Sequence, residues 1–307
     1  MHHLILLLTA AALAACGAER QPGELFGPEE AEVLVVDAVL VVGQPLPEVY
    51  VRRTASPRSD YSAAAAAVTG AQVAISQGDV RHTYRPDPQA PGRYLPPEGA
   101  PRVEPRTAYA LEVRAAGESL RARTRTPDRV RIAAAALLDE KSLVRRRELV
   151  LFGGADDPFA AAANQLHYLD GLLELEVEET DAAGYQVALF SLDEGSDFVI
   201  DADFLEAEDY EGFERQGASP PVALESGRVR LPWFAVAFAG RHVFRVYAVD
   251  ENWFDYARTS SEDGSFLGGL AGDRFERPLF RVEGGIGLFG SAAVDSLGFN
   301  LLPRLPE

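Results

Sequence analysis

The sequence predicts a mainly β protein: a β-sandwich over residues 31–127, then a second β-rich domain over 128–303 with a short helix near 251–260. Three observations carry that expectation. β-Branched and aromatic residues recur in short runs, several of them at period two, as strands with one buried face require. Turn-forming Gly, Pro and Asp punctuate those runs at hairpin intervals. Helical start chemistry is clearest at Asp250, ahead of Glu251-Asn252-Trp253-Phe254-Asp255-Tyr256-Ala257-Arg258.

Taken in order, the first strand is the run 33–42, Val-Leu-Val-Val-Asp-Ala-Val-Leu-Val-Val, apolar on both faces. Further strands are expected at 48–54, 71–76, 80–85, 107–115 and 119–126. Gln77-Gly78-Asp79 sits where a hairpin turn belongs, and Pro91-Gly92 is the pair of a type II turn. The run 63–67 reads as a loop or a single helical turn, and Thr126-Pro127 closes the first unit. Between 128 and 170 the signal weakens, with a strand expected at 145–152 and a short helix at 158–166. Strands return at 172–179, 185–192, 228–231 and 242–249, the last with two apolar faces, which places it centrally in a sheet. A final strand is expected at 293–299.

The N-terminus has a different character. Residues 4–15 form an apolar run broken only by Thr9. At twelve residues it falls short of the roughly 20 needed to span a bilayer, but it fits the core of a signal peptide. Leu13-Ala14-Ala15-Cys16 looks like a bacterial lipobox, so residues 1–15 are expected to be removed and Cys16 to carry lipid, palmitate included. Residues 17–30 read as a tether. Cys16 is the single cysteine, and once it is assigned to lipid the fold has no disulfide and no thiolate metal site.

A formal charge of −18 makes nucleic acid a poor partner, because phosphate binding needs clustered Lys and Arg. Apolar content of 47% supports a sizeable core. Of the basic residues only Lys141 is a lysine.

Chemical motifs are few. Gly285-Ile286-Gly287-Leu288-Phe289-Gly290 fits the letters G-x-G-x-x-G, but a dinucleotide loop needs a following helix, and the chain here reads as strand. The glycines are instead expected to allow positive φ or close backbone packing. The acidic residues Asp193, Glu194, Asp197, Asp201, Asp203, Glu206, Glu208, Asp209 and Glu211 lack the order of a calcium loop and read as a solvated stretch. His82, His167 and His242 are far apart in sequence, and neither H-E-x-x-H nor G-x-S-x-G occurs. No catalytic residue, metal ligand or cofactor is therefore assigned. Trp233, Trp253 and Tyr256 are the candidate ligand-contacting aromatics, against the alternative of core burial.

Several segments carry a family resemblance. They include Val33-Leu34-Val35-Val36-Asp37-Ala38, Val68-Thr69-Gly70-Ala71-Gln72-Val73-Ala74-Ile75, Gly92-Arg93-Tyr94, Thr107-Ala108-Tyr109-Ala110-Leu111-Glu112-Val113 and Thr124-Arg125-Thr126-Pro127. Trp253-Phe254-Asp255-Tyr256 and Glu283-Gly284-Gly285-Ile286-Gly287-Leu288-Phe289-Gly290 continue the pattern. Together they resemble the Bacteroidetes-type envelope lipoproteins grouped as DUF4249, a domain of unknown function, with residues 128–170 departing most. The resemblance implies an immunoglobulin-like first module, an outer-membrane or periplasmic lipoprotein, and a TonB-dependent transporter as partner. It supplies no catalytic residues. The expectation is a non-enzymatic, lipid-anchored accessory or binding protein of the outer membrane. The alternative is an extracellular glycan- or peptide-binding module, and an uncharacterised hydrolase stands third.

Overall fold

The computed structural model describes residues 32–55, 61–168, 170–200, 213–224, 226–231, 235–260 and 278–303. The expected signal peptide, Cys16, the tether and Trp233 lie outside these residues, as do the acids of 201–211.

The first half supplies β1 (Leu34–Val41), β2 (Val49–Arg53), β3 (Gln72–Gln77), β4 (Val80–Thr83), β5 (Arg85–Pro86), β6 (Arg93–Leu95), β7 (Ala108–Ala115) and β8 (Glu118–Arg125). The second supplies β9 (Arg131–Leu138), β10 (Arg145–Glu148), β11 (Gln165–Leu166), β12 (Leu172–Glu178), β13 (Gly184–Ser191), β14 (Gln216–Ala218), β15 (Arg228–Leu231) and β16 (Gly240–Val249). Helix α1 (Glu251–Ser260) follows, then β17 (Val282–Glu283) and β18 (Ile286–Leu301). The protein is mainly β with one short α-helix among the described residues, as expected.

A nine-stranded sheet runs β14-β13-β16-β18-β1-β2-β6-β5, with β11 added beside β18. A five-stranded sheet, β17-β8-β7-β3-β4, and a four-stranded sheet, β10-β9-β12-β15, complete the fold. The sixteen-residue β18 is the spine: its first half pairs in parallel with β1, Val35 opposite Ile286, and its second half pairs antiparallel with β16.

Two apolar cores result. Val36 and Leu40 of β1 and Phe289 of β18 pack with Val73, Leu111, Val113 and Leu120 of the five-stranded sheet. Phe244 and Val246 of β16, with Leu297, Phe299 and Leu301 of β18, pack with Ile132, Leu137, Leu173 and Leu175 of the four-stranded sheet. Because strand side chains alternate, Phe289, Leu297, Phe299 and Leu301 share one face of β18. Both smaller sheets therefore cover the same side of the long sheet, forming two sandwiches on one floor. Residue 127 lies between β8 and β9, and β17 and β18 come back from the C-terminal part to complete the first sandwich.

Each sandwich carries the same turn device. The Tyr109 hydroxyl accepts the Glu104 N–H at 2.9 Å, and the Tyr185 hydroxyl accepts the Thr180 N–H at 2.6 Å. Both are tyrosine corners, in which a ring at a strand start pins the chain entering it.

The structure corrects the reading of 128–170. The helix expected at 158–166 is a 3-10 turn, Ala162–Asn164, that runs straight into β11, and the strand expected over 145–152 ends at Glu148. The buried Asn164 is the reason. Its Oδ1 accepts the Val150 N–H at 2.8 Å, and its Nδ2 donates to Val150 O at 2.9 Å and Gly298 O at 2.7 Å. This tertiary anchor straps 149–166 onto β18 and overrides the helix propensity of the alanines. Asn164→Ala would leave three backbone groups without their side-chain partner beneath a residue that has no exposed surface. Urea denaturation should show a loss of about 3 kcal/mol. A loss below about 1 kcal/mol would mean that water replaces the side chain.

Candidate functional site

The two sandwiches meet over β18 between Phe289 and Ala293, where Ser291 is wholly buried. An apolar floor would leave the edge of β8 and the start of α1 unsatisfied there, and a polar knot takes its place. Asp250, which follows β16 and caps α1, accepts the Trp253 N–H at 3.0 Å and the Ser291 N–H at 3.0 Å. It also accepts the Thr124 hydroxyl, which lies 2.8 Å from Ser291 Oγ. Asn252 Nδ2 donates to Arg123 O at 2.6 Å and Phe289 O at 2.8 Å, tying the helix to both sheets. The N-cap expected at Asp250 is present. Burial pushes the Asp250 carboxyl above its ordinary range, and the hydrogen bond from Thr124 is the first of several that oppose the shift.

Above this knot opens a cleft of about 580 Å³. Arg123, Arg125, Asp181, Asp250, Glu251 and Arg281 line it. A neighbouring depression of about 620 Å³ shares Arg123, Asn252 and Arg281 and adds Arg81, Glu112 and Arg121. The alternation of β8 explains this lining: Leu120, Ala122 and Thr124 point into the sandwich, so Arg121, Arg123 and Arg125 point out. Glu112 on neighbouring β7 braces the row, 2.8 Å from Arg81, 2.7 Å from Arg114 and 3.8 Å from Arg121, and its hydrogen bonds from Arg81 and Arg114 hold its carboxyl below the usual range. Arg281 is fixed by Asp255 at 2.6 Å and Glu251 at 3.1 Å.

Neither aromatic candidate on α1 lines these clefts. The half-buried Trp253 lies 5.9 Å from the Tyr247 ring, and the half-buried Tyr256 lies 6.0 Å from Phe280. The three histidines are dispersed. His242 stacks on Phe299 at 5.1 Å, its Nδ1 is 2.9 Å from Gly240 O, and burial lowers its pKa. His167 is exposed, and His82 belongs to the outer strand β4. In the acidic stretch, Asp193 is occupied by Arg241, accepting its N–H at 2.7 Å and its guanidinium at 2.6 and 2.9 Å. Among the described residues no helix is long and apolar enough to cross a membrane.

The G-x-G-x-x-G letters fall on strand. Gly285 precedes β18, and Gly287 and Gly290 lie within it, so there is no strand-to-helix loop to cradle a phosphate. Gly287 has φ +115°, and a Cβ there would lie 2.0 Å from Val36 O. Gly284 has φ +74°, and its Cβ would lie 2.2 Å from Ser119 O. The glycines let the chain pass between β1 and β8 as it crosses from the five-stranded sheet to the long one.

No motif above includes the arginine row, although its signal is in the sequence. In Ser119-Leu120-Arg121-Ala122-Arg123-Thr124-Arg125, charge alternates with small or apolar residues at strand period.

The family model described as Domain of unknown function (DUF4249) matches residues 24–297. No curated protein matches the chain.

Proposed function

Since the chain belongs to the DUF4249 family, a domain of unknown function, we propose that the protein works by binding, as a lipid-anchored accessory partner of an outer-membrane transport system. The observation that carries this reading is the composition of the junction cleft. Among the described residues, arginine and carboxylate side chains line it without histidine or cysteine, and its buried acid, Asp250, is committed to hydrogen bonds that hold the two sandwiches and α1 together. Such a lining suits ionic recognition better than proton transfer, which calls for a titratable group free to reach a substrate. Anchoring rests on Leu13-Ala14-Ala15-Cys16 behind an apolar run of signal-peptide length.

The test uses cells fed a clickable palmitate analogue and then crosslinked. The intact chain should take up label, fractionate with outer membrane and bring down a TonB-dependent transporter. Cys16→Ala should remove both label and sedimentation. An intact chain without label refutes the anchor. A labelled chain that captures no transporter refutes the accessory role.

A further inference from the structure

We propose that the row Arg121, Arg123 and Arg125 on the outward face of β8, flanked by Arg81, is a docking surface for an extended acidic segment of a partner protein. The proposal names the contact surface for the binding role above and rests on that reading.

The first support is how unusual this row is in the chain. The protein is strongly acidic, and it neutralises its other run of arginines: Arg145 pairs with Glu148 at 2.9 Å and Glu176 at 2.8 Å, Arg146 with Asp139, and Arg147 with Asp170 at 3.1 Å. On β8 the pairing is sparser. Arg121 lies 3.8 Å from Glu112 and opposite Glu283 of β17, and Arg123 and Arg125 make no ion pair among the described residues. All three are exposed. Surplus cationic charge left open on a chain of charge −18 points to an anionic partner.

The second support is spacing. Successive outward side chains of a strand stand roughly 7 Å apart, two residues at about 3.4 Å each. An extended peptide presents its alternate side chains at the same step, so Asp or Glu at every second position meets Arg121, Arg123 and Arg125 in register. Arg guanidinium favours this partner, since its planar fork takes a carboxylate through two parallel hydrogen bonds. Glu112 and Arg281 limit the site to such a narrow ligand: Glu112 repels anions beyond the row on the β7 side, and Arg281 is already held by Asp255 and Glu251.

The test measures fluorescence anisotropy of a labelled nine-residue peptide, Asp alternating with Ser, titrated with the purified full chain at low salt. Arg123→Glu/Arg125→Glu should weaken binding at least about tenfold, and Arg123→Gln/Arg125→Gln about threefold. Arg129→Glu/Arg228→Glu, which changes net charge equally at exposed sites outside both clefts, should change it less than about twofold. Melting curves establish that each variant is folded. Absence of binding overturns the proposal, as does equal binding of a peptide with the same Asp residues run together. Tighter binding of polygalacturonate or phosphatidylglycerol vesicles also overturns it, assigning the row to a polysaccharide or a membrane. None of these readouts depends on Cys16, so failure here is distinguishable from failure of the anchoring reading.

Discussion

Gly287→Ala is expected to cost more than about 4 kcal/mol, enough to abolish folding of a marginally stable domain. The residue sits at φ +115°, where an L side chain is strained, and its Cβ would meet Val36 O at 2.0 Å and Val36 N and C at 2.9 Å. The atoms it meets are backbone, so no rotamer change relieves the clash. Relief requires separating β18 from β1, the parallel contact through which Phe289 enters the first core. Gly70→Ala is the control, since a Cβ there meets nothing within 4 Å. Equilibrium urea denaturation should show no cooperative transition for Gly287→Ala and less than about 0.5 kcal/mol of change for Gly70→Ala. A cooperative Gly287→Ala protein within about 1 kcal/mol of wild type would show that β1 and β18 are not held as tightly as described.

Asp250 gives the second large effect. Asp250→Ala removes the α1 cap and leaves the Ser291 N–H, the Trp253 N–H and the Thr124 hydroxyl without their acceptor, a loss of about 3 kcal/mol. Asp250→Asn keeps an acceptor oxygen and removes the charge, so it should cost far less. Wild type and Asp250→Asn also separate in pH dependence. Burial raises the folded carboxyl above its unfolded value, so the folded state holds the proton more tightly. Its contribution is fully present below the unfolded carboxylate pKa of about 3.9 and is lost as pH rises through the folded value. Wild type should therefore lose stability relative to Asp250→Asn across that window, with the difference constant above it. Parallel stability profiles for the two proteins would disprove the assignment.

Much of the local structure could be read from the chain. The alternation of Tyr109, Leu111 and Val113 gave β7 its buried face, and the two apolar faces of 242–249 predicted a central strand, which β16 is, lying between β13 and β18. Asp250 announced α1, because an Asx cap is a local interaction. Elements without periodicity leave no such signal. Strand β9 passes through Ala133-Ala134-Ala135-Ala136, which carries neither a strand nor a helix pattern, and β6, β14 and β17 are only two or three residues long. The expected final strand at 293–299 lies within β18, whose first half carries Gly287 and Gly290 and so lacks the β-branched signal of a strand.

Near-neighbour chemistry in the chain set the mainly β character, most strand positions, helix α1 and its cap, and the membership of residues 24–297 in their family. The tertiary structure alone decided what depends on contacts between distant segments. Residues 35–41 pair with 286–292, one strand serves two cores, and that convergence buries Asp250, Thr124 and Ser291 together under a cleft edged by Arg123 and Arg125. A strand's alternation says which of its faces is buried, but not which distant strand supplies the hydrogen bonds of its edge. That partner is selected by the free energy of the assembled core and by the few glycines narrow enough to let two backbones touch.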